Sequence, residues 1–103
     1  MKSQEIMMVR IYVNEGKNIL KTILSYLHDE VKVKGVTVFR GISGFGKSGH
    51  LHSSALLDLS LDLPLVIEFF DLPGKTLSAL EHLETLVLPE HIVSWIAVTF
   101  VKE

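Results

Sequence analysis

The sequence contains no cysteine, and it has no apolar run long enough to cross a membrane. Without cysteine the chain can form neither a disulfide framework nor a thiolate metal site, which fits a reducing compartment. The short apolar stretch near its beginning is interrupted by Arg10, so it does not have the form of a signal peptide. We therefore expect a cytoplasmic protein with no membrane insertion.

The sequence also lacks a large excess of positive or negative charge. The net charge is −2, and no cluster of lysine and arginine lies along a single predicted helix. A binder of duplex nucleic acid needs such a cluster, so we expect no nucleic-acid partner. Hydrophobic residues make up 48% of the chain and charged residues 21%, as in ordinary globular proteins. A chain of 103 residues is long enough for one core, and we expect a single domain over residues 1–103.

The first half of the chain predicts a strand at residues 6–13, then a helix, then a second strand. The helix is predicted because apolar residues recur at spacings of three and four; they are Ile19, Leu20, Ile23, Leu24, Leu27 and Val31. Gly35 is expected to adopt the left-handed conformation that ends many helices. β-Branched and aromatic residues at 36–42 predict the second strand, which leads into a glycine-rich segment.

The second half predicts a strand, a helix and a last strand. Apolar and polar residues alternate over residues 57–69, which indicates an extended segment that becomes a strand at about 63–70. Pro64 indicates an irregularity or a sheet edge near its start. Asp71 is a candidate N-cap for the second helix, and Pro89 is expected to stop that helix. Its apolar stripe is Leu77, Leu80, Leu83 and Val87. The last strand is predicted at 91–101.

This order of elements predicts an α+β, ferredoxin-like βαββαβ sandwich, in which a four-stranded antiparallel sheet carries both helices on one face. The first and last strands are nevertheless apolar on both faces. At about 25 cal/mol per Å², leaving the second face in water would forgo several kcal/mol. We therefore expect an oligomer that packs its open sheet faces together.

Residues 41–53, "GISGFGKSGHLHS", are the compositional exception in the chain. The spacing Gly44-x-Gly46-x-x-Gly49 matches the dinucleotide-binding pattern, but that pattern requires a following helix, and the residues that follow alternate instead. A flexible connection is the simplest alternative, although the segment is longer than a hairpin needs. Glycine also lets backbone amides approach a ligand, so an anionic ligand is the functional hypothesis. Positive charge would come from Arg40, Lys47, His50 and His52.

Other chemistry is weakly indicated. His50 and His52 could bind a metal from one side of an extended segment, but no third ligand is identifiable, so no metal site is predicted. No set of serine, histidine and acid stands out as catalytic, and His82 and His91 are interpreted as surface residues. Glu15 either faces the loop of a neighbouring subunit or is a solvated turn acid. Glu68 is interpreted as a water-facing strand residue.

Several stretches of the sequence resemble two known families. "TVFRGISGFGKSGHLHS" is similar to the segment by which PII signal-transduction proteins enter their long T-loop. "RIYVNEGK", "GVTVFRGISGFG", "HLHS" and "LSLDLPLVIEFFD" resemble an uncharacterised PII-like small-protein family, a UPF-type domain of unknown function. This second resemblance extends from Val9 to about Val101, so it covers nearly the whole chain.

The resemblance implies a homotrimer that binds a small anionic ligand, such as an adenine nucleotide, in the clefts between subunits. PII proteins signal to a target protein through the T-loop, which here would span about residues 43–55. By resemblance, Gly44, Gly46 and Lys47 would lie on the phosphate side of the cleft. The remaining motif residues, whose roles the resemblance leaves open, are Arg40, Gly41, Phe45, His50 and His52.

The chain also departs from PII proteins. They carry a second glycine-rich loop after the second helix, whereas "LETLVLPEHIVSW" contains no glycine, and the T-loop tyrosine is missing between Gly46 and Pro64. Sensing of ATP and covalent modification of that tyrosine are therefore not inherited directly. A non-enzymatic regulator is the leading hypothesis. The alternatives are a small trimeric enzyme that uses the loop histidines and a structural oligomer with no ligand.

Overall fold

The computed structural model describes residues 1–14, 18–45, 52–53 and 63–103. Within them lie six strands, β1 (Lys2–Asn14), β2 (Gly35–Arg40), β3 (Ser43–Gly44), β4 (His52–Ser53), β5 (Pro64–Asp71) and β6 (Ile92–Val101). The helices are α1 (Ile19–Ser25), which continues as π-helical turns over Tyr26–Val31, and α2 (Pro73–Leu83). A short 3-10 helix, Pro89–His91, precedes β6. Part of the predicted alternation, residues 57–62, falls outside the described residues.

The four long strands form one antiparallel sheet in the order β2-β5-β1-β6. The two helices connect β1 to β2 and β5 to β6, and they pack on the same face of this sheet. This arrangement confirms the predicted ferredoxin-like α+β fold.

The core lies between the sheet and the helices. Every second residue of β1 and β5 points toward the helices, as the period of two requires. The fully buried cluster consists of Val9, Ile11, Ile23, Leu27, Ile67, Phe69 and Leu83. Burying each of these side chains contributes about 1.5–3 kcal/mol relative to exposure, so the cluster holds β1 and β5 against the helices.

The first helix ends differently from the prediction. Lys32, not Gly35, adopts the left-handed conformation, with φ of 59°, and Gly35 begins β2. The chain reverses because the Val33 N–H donates to the Leu27 carbonyl at 3.2 Å. Helix-ending glycines are a preference and not a requirement, and here the reversal comes before the glycine is reached.

The second helix also differs in start, face and length. Its N-cap position is Leu72, because Asp71 is still part of β5 and its Oδ1 accepts the Leu72 N–H at 2.8 Å. The predicted stripe is rotated, since Leu77 is 53% exposed and the buried side chains are Thr76, Ala79 and Leu83. The helix ends at Leu83, six residues before Pro89, in a series of tight turns.

Pro64 is compatible with the sheet for a reason other than the predicted edge. β5 lies between β2 and β1, so it is a central strand. Pro64 is its first residue, where the missing N–H of proline is tolerated.

The face of the sheet away from the helices is largely apolar, as predicted from the first and last strands. Exposed aromatic and branched residues lie there, namely Tyr12, Phe39, Val93 and Trp95. We call this surface the open face. None of the helices in the described part of the chain is both long and apolar enough to span a lipid bilayer.

Candidate functional site

A cleft opens at the end of the sheet where β1 and β2 finish and β5 starts. Its cavity has a volume of about 1030 Å³. Five segments line it, contributing Tyr12, Val13, Asn14, Ile19, Gly41, Ser43, Gly44, Phe45, Pro64, Leu65, Val66, Leu86, Val87, Leu88, Glu90 and His91. Residues distant in sequence meet here because the register aligns Asn14 with Pro64 and Arg40 with Leu65.

The glycine-rich segment leaves the sheet at this cleft. Gly41 donates its N–H to the Pro64 carbonyl at 2.7 Å. The chain then forms β3, and Ser43 and Gly44 pair with Ser53 and His52 of β4. The two arms of the segment, β3 and β4, are therefore held together at the cleft, and the residues described directly after Gly41 form a strand. A fully antiparallel sheet and a strand after Gly41 rule out the dinucleotide-binding fold.

Gly41 is required by close approach to β5. A Cβ built on Gly41 would lie 2.8 Å from Cγ of the Pro64 ring and 3.3 Å from the Pro64 carbonyl oxygen. Its N–H is occupied by that same carbonyl. Gly41 thus serves the site by having no side chain, and its amide is bonded within the fold.

The described lining is mainly apolar. Phe45 is exposed beside the cleft, and Leu86 and Leu88 supply aliphatic surface from the α2–β6 connection. Glu90 and His91 are its ionisable groups besides Tyr12, and no lysine or arginine belongs to the lining that the structure describes. This chemistry suits a planar, weakly polar group more than an isolated phosphate.

The structure brings three of the sequence-predicted site residues to the cleft: Gly41, Gly44 and Phe45. Arg40 is exposed at the end of β2, directly before the cleft, and His52 lies in β4 opposite Gly44. The remaining predicted site residues, Glu15, Gly46, Lys47 and His50, fall outside the described residues. Within the described residues, no group of three or more potential metal ligands is present.

Sequence reasoning missed most of the lining. His91, interpreted as a surface residue, is only partly exposed and faces the cleft. Tyr12 lies in the predicted first strand and Asn14 directly follows it, and the sequence indicated no further role for either residue. The one available signal was the position of the α2–β6 connection, where PII proteins carry their second glycine-rich loop.

A polar cluster lies next to the cleft on the open face. Nε of Arg10 is 2.8 Å from Oε1 of Glu68 on the neighbouring strand, and the guanidinium lies 5.7 Å from the centre of the Trp95 ring. The hydrogen bond to Glu68, followed by one to Tyr12, raises the pKa of Arg10. Glu68 is therefore paired, although the sequence indicated only a water-facing position.

Gly41→Ala should disturb the cleft where Gly44→Ala does not. The new methyl group would collide with the rigid Pro64 ring and carbonyl, and we expect a loss of about 1–3 kcal/mol in unfolding free energy, as for overpacking. At Gly44 the added carbon would meet Pro64 Cγ at 3.4 Å, an ordinary contact. Urea denaturation of both variants measures the difference, and equal stability of the two would refute the close-approach argument.

Comparison with known proteins supplies a family context. The model of the DUF190 family, described as uncharacterised ACR, matches residues 6–98. A UPF0166 protein of Aquifex aeolicus (strain VF5) is 39% identical over 78 residues, which cover 76% of this chain and 78% of that protein.

Solved structures share the fold at low identity. CPII, a nitrogen regulatory PII-like protein from Thiomonas intermedia K12 solved with ADP, AMP and bicarbonate, superimposes with a TM-score of 0.69 at 19% identity, covering 95% of this chain and 89% of that one. The divalent ion tolerance protein CutA1 from Ehrlichia chaffeensis superimposes with a TM-score of 0.61 at 8% identity, covering 95% and 84%. The same sandwich therefore occurs in proteins described by different functions.

Proposed function

Because the chain belongs to the DUF190 family and has the fold of PII-like proteins, we propose that it is a non-enzymatic regulatory protein of the cytoplasm. It binds an adenine nucleotide or a similar anionic metabolite between the subunits of a homotrimer. The observation that supports this proposal is the cleft at which the glycine-rich segment leaves the sheet, where Gly41, Gly44 and Phe45 are part of the lining.

The lining supports a ligand with an apolar, planar part. Leu86, Leu88 and Phe45 provide apolar surface that a nucleobase can contact. Burial of the base against this surface would contribute to the binding affinity. Tyr12 and Asn14 at the end of β1 can orient polar edges of the base. Phosphate oxygens require positive charge, which Arg40 at the cleft margin and Lys47 within the glycine-rich segment would supply.

The open face supports assembly. An exposed apolar sheet face of this kind is unusual for a monomer and common at interfaces. Three copies that bury their open faces would bring the cleft of each copy, which begins at Tyr12 on the open face, next to a neighbour. CPII, whose structure contains ADP and AMP, shares this fold, and its ligands motivate the choice of nucleotide.

Signalling would use the segment between β3 and β4. The two arms pair at Ser43–Ser53 and Gly44–His52, so a ligand that contacts Gly44 and Phe45 acts where both arms begin. If the ligand has a higher affinity for one arrangement of the arms, its binding shifts their population toward that arrangement. A target protein would bind the segment of about residues 43–55 in that arrangement.

Thermal unfolding with a panel of nucleotides, with and without magnesium, tests the proposal. A ligand at 100 times its Kd adds about 2.7 kcal/mol per site, or on the order of ten degrees in Tm for a domain of this size. We expect this shift with ADP, AMP or ATP, and a reduced shift for Leu88→Asp. Leu77→Asp is the matched control, because Leu77 is similarly exposed but lies on α2 and outside the cleft lining. No shift with any nucleotide would instead favour a structural assembly.

A further inference from the structure

A row of side chains on β1 runs from the open face into the cleft. Successive residues of a strand point to opposite faces of the sheet, so Arg10 and Tyr12 lie on the same face, about 7 Å apart along the strand. Their partners on β5 are Glu68 and Val66. Tyr12 also belongs to the cleft lining, and it is 43% exposed. The cleft and the open face therefore meet at Tyr12.

The Arg10 guanidinium is held from two sides. Its Nε donates a hydrogen bond to Oε1 of Glu68 at 2.8 Å, and the group lies 5.7 Å from the centre of the Trp95 ring. A guanidinium is planar and its five N–H donors have fixed directions, so these two contacts also limit where the other donors point. Hydrogen bonds to Glu68 and then to Tyr12 raise the pKa of Arg10. The Tyr12 oxygen is thus within reach of the same guanidinium.

The direction of the hydrogen bond between Arg10 and Tyr12 follows from the chemistry of the two groups. A guanidinium has donors and no acceptor, so the Tyr12 oxygen must accept. A phenol has one O–H donor and two acceptor lone pairs, and the O–H of Tyr12 therefore remains available to a molecule in the cleft. Hydrogen bonds in series strengthen each other. An oxygen that accepts from a cation consequently makes its own O–H a better donor.

A neutral donor in this cleft favours an uncharged acceptor. The described lining is mainly apolar and contains no lysine or arginine, so an anionic group beside Tyr12 would gain little charge compensation from it. A ring nitrogen or a carbonyl oxygen of a planar group needs only one donor. The rest of such a group can lie against the apolar side chains of the cleft.

We propose that Tyr12 determines which ligands the cleft accepts, because its O–H donates to an uncharged acceptor on the planar part of the ligand. Arg10 is the positioning residue, since it bonds to the Tyr12 oxygen and directs the O–H toward the cleft. The inference rests on the proposed nucleotide site. It narrows that site to bases that present an acceptor, such as a ring nitrogen of adenine, at the end of β1.

Tyr12→Phe tests the donor, because it keeps the ring and removes only the hydroxyl group. With AMP as the probe, isothermal titration calorimetry should give a Kd about two- to tenfold higher than that of the wild type, as for the loss of one net hydrogen bond. Tyr26→Phe is the matched control. Tyr26 is the other of the two tyrosines of the chain, stacks on His82 and lies outside the described cleft lining, so its variant should bind AMP unchanged.

Analogues of AMP identify the acceptor. In each analogue one ring nitrogen of the adenine is replaced by C–H, one nitrogen at a time. One analogue should bind the wild type more weakly than AMP by the factor seen for Tyr12→Phe, and it should bind Tyr12→Phe no more weakly than AMP does. The other analogues should keep the full difference between the two proteins. A change in the shape of the cleft would instead weaken every probe by a similar factor.

Arg10→Lys tests the positioning role. This variant keeps a cation facing Glu68, so assembly should be retained, but an ammonium lacks the planar arrangement of donors that reaches both partners. We expect the affinity for AMP to fall by the same factor as in Tyr12→Phe, and the double variant to bind no more weakly than either single variant. The masses are measured at the concentration of the titration, so that proteins in the same assembly are compared.

The outcomes separate this inference from the proposed function. Equal affinity of the wild type and Tyr12→Phe for AMP overturns the inference and leaves the nucleotide site. A uniform weakening across all analogues overturns the donor role of Tyr12. Losses that add in the double variant overturn the positioning role of Arg10. A wild-type protein that binds none of AMP, ADP and ATP overturns the proposed function and this inference together.

Discussion

Asp71→Ala is expected to lower the free energy of unfolding by about 2–5 kcal/mol. The Asp71 side chain is almost completely buried and accepts hydrogen bonds from the backbone N–H groups of Leu72 and Lys34, at 2.8 and 3.1 Å. Lys75 Nζ lies 3.1 Å from its Oδ2. Removing the carboxylate leaves two part-buried N–H donors without their partner, each at a cost of up to about 1–3 kcal/mol. Urea denaturation at fixed protein concentration measures the loss.

The effect should depend on the charge of Asp71. Asp71→Asn keeps one acceptor oxygen, so we expect a loss smaller than that of Asp71→Ala. Asp29→Ala is the matched control, because Asp29 is an exposed acid whose hydrogen bond is to the exposed side chain of His28. If Asp71→Ala and Asp29→Ala have the same stability, Asp71 does not hold the end of β5.

Asp71 should also contribute to acid unfolding. Burial acts to raise the pKa of Asp71, but the hydrogen bonds from Leu72, Lys75 and Lys34 outweigh it and hold the pKa below its ordinary value. A carboxylate with a lowered folded pKa stabilises the protein fully above its unfolded pKa of about 3.9, and this contribution is lost as the pH falls through the folded pKa. Between about pH 5 and pH 2, wild-type protein should therefore lose more stability than Asp71→Asn.

Arg10→Met is expected to weaken assembly at least a hundredfold. The Arg10–Glu68 pair lies on the open face, where the side chains are 43% and 20% exposed in a single copy. At a surface this pair contributes only about 0–1 kcal/mol, so the fold of one copy should change little. When another copy covers the open face, Glu68 would become a buried carboxylate without its cation. Breaking a buried pair costs about 3–5 kcal/mol, and each 1.4 kcal/mol is about tenfold in Kd.

The matched comparison uses Lys21→Met, which removes an exposed cation from α1 on the other side of the sheet. The second arm is Arg10→Met combined with Glu68→Leu, which removes both charges and should restore much of the association, since replacing a whole buried pair is often neutral. Dilution experiments followed by mass measurement give Kd for each protein. Unchanged association in Arg10→Met would mean that the open face stays in contact with water.

The periodicities of the chain predicted the fold well because the spacing of apolar residues within one segment is enough to distinguish a helix from a strand. All six long elements were expected in their observed order, and the stripe from Ile19 to Val31 identified the first helix. Errors arose where neighbouring elements decide the outcome. Leu77 continues a regular apolar stripe, yet the packing of α2 on β1 and β5 buries Thr76 instead. Asp71 is of a residue type that favours N-cap positions. Its side chain instead accepts a hydrogen bond from the Lys34 N–H and so links β5 to the turn before β2.

The sequence by itself determined the order of the elements, the apolar character of both sheet faces and the position of the glycine-rich segment, because local spacing and residue type are enough for each of these. Only the tertiary structure decided what forms the cleft. Tyr12, Gly41, Pro64 and His91 become neighbours because the strand order β2-β5-β1-β6 brings four distant segments to one end of the sheet. Strand order and register depend on contacts between residues far apart in the chain, and a periodicity within one segment does not encode them.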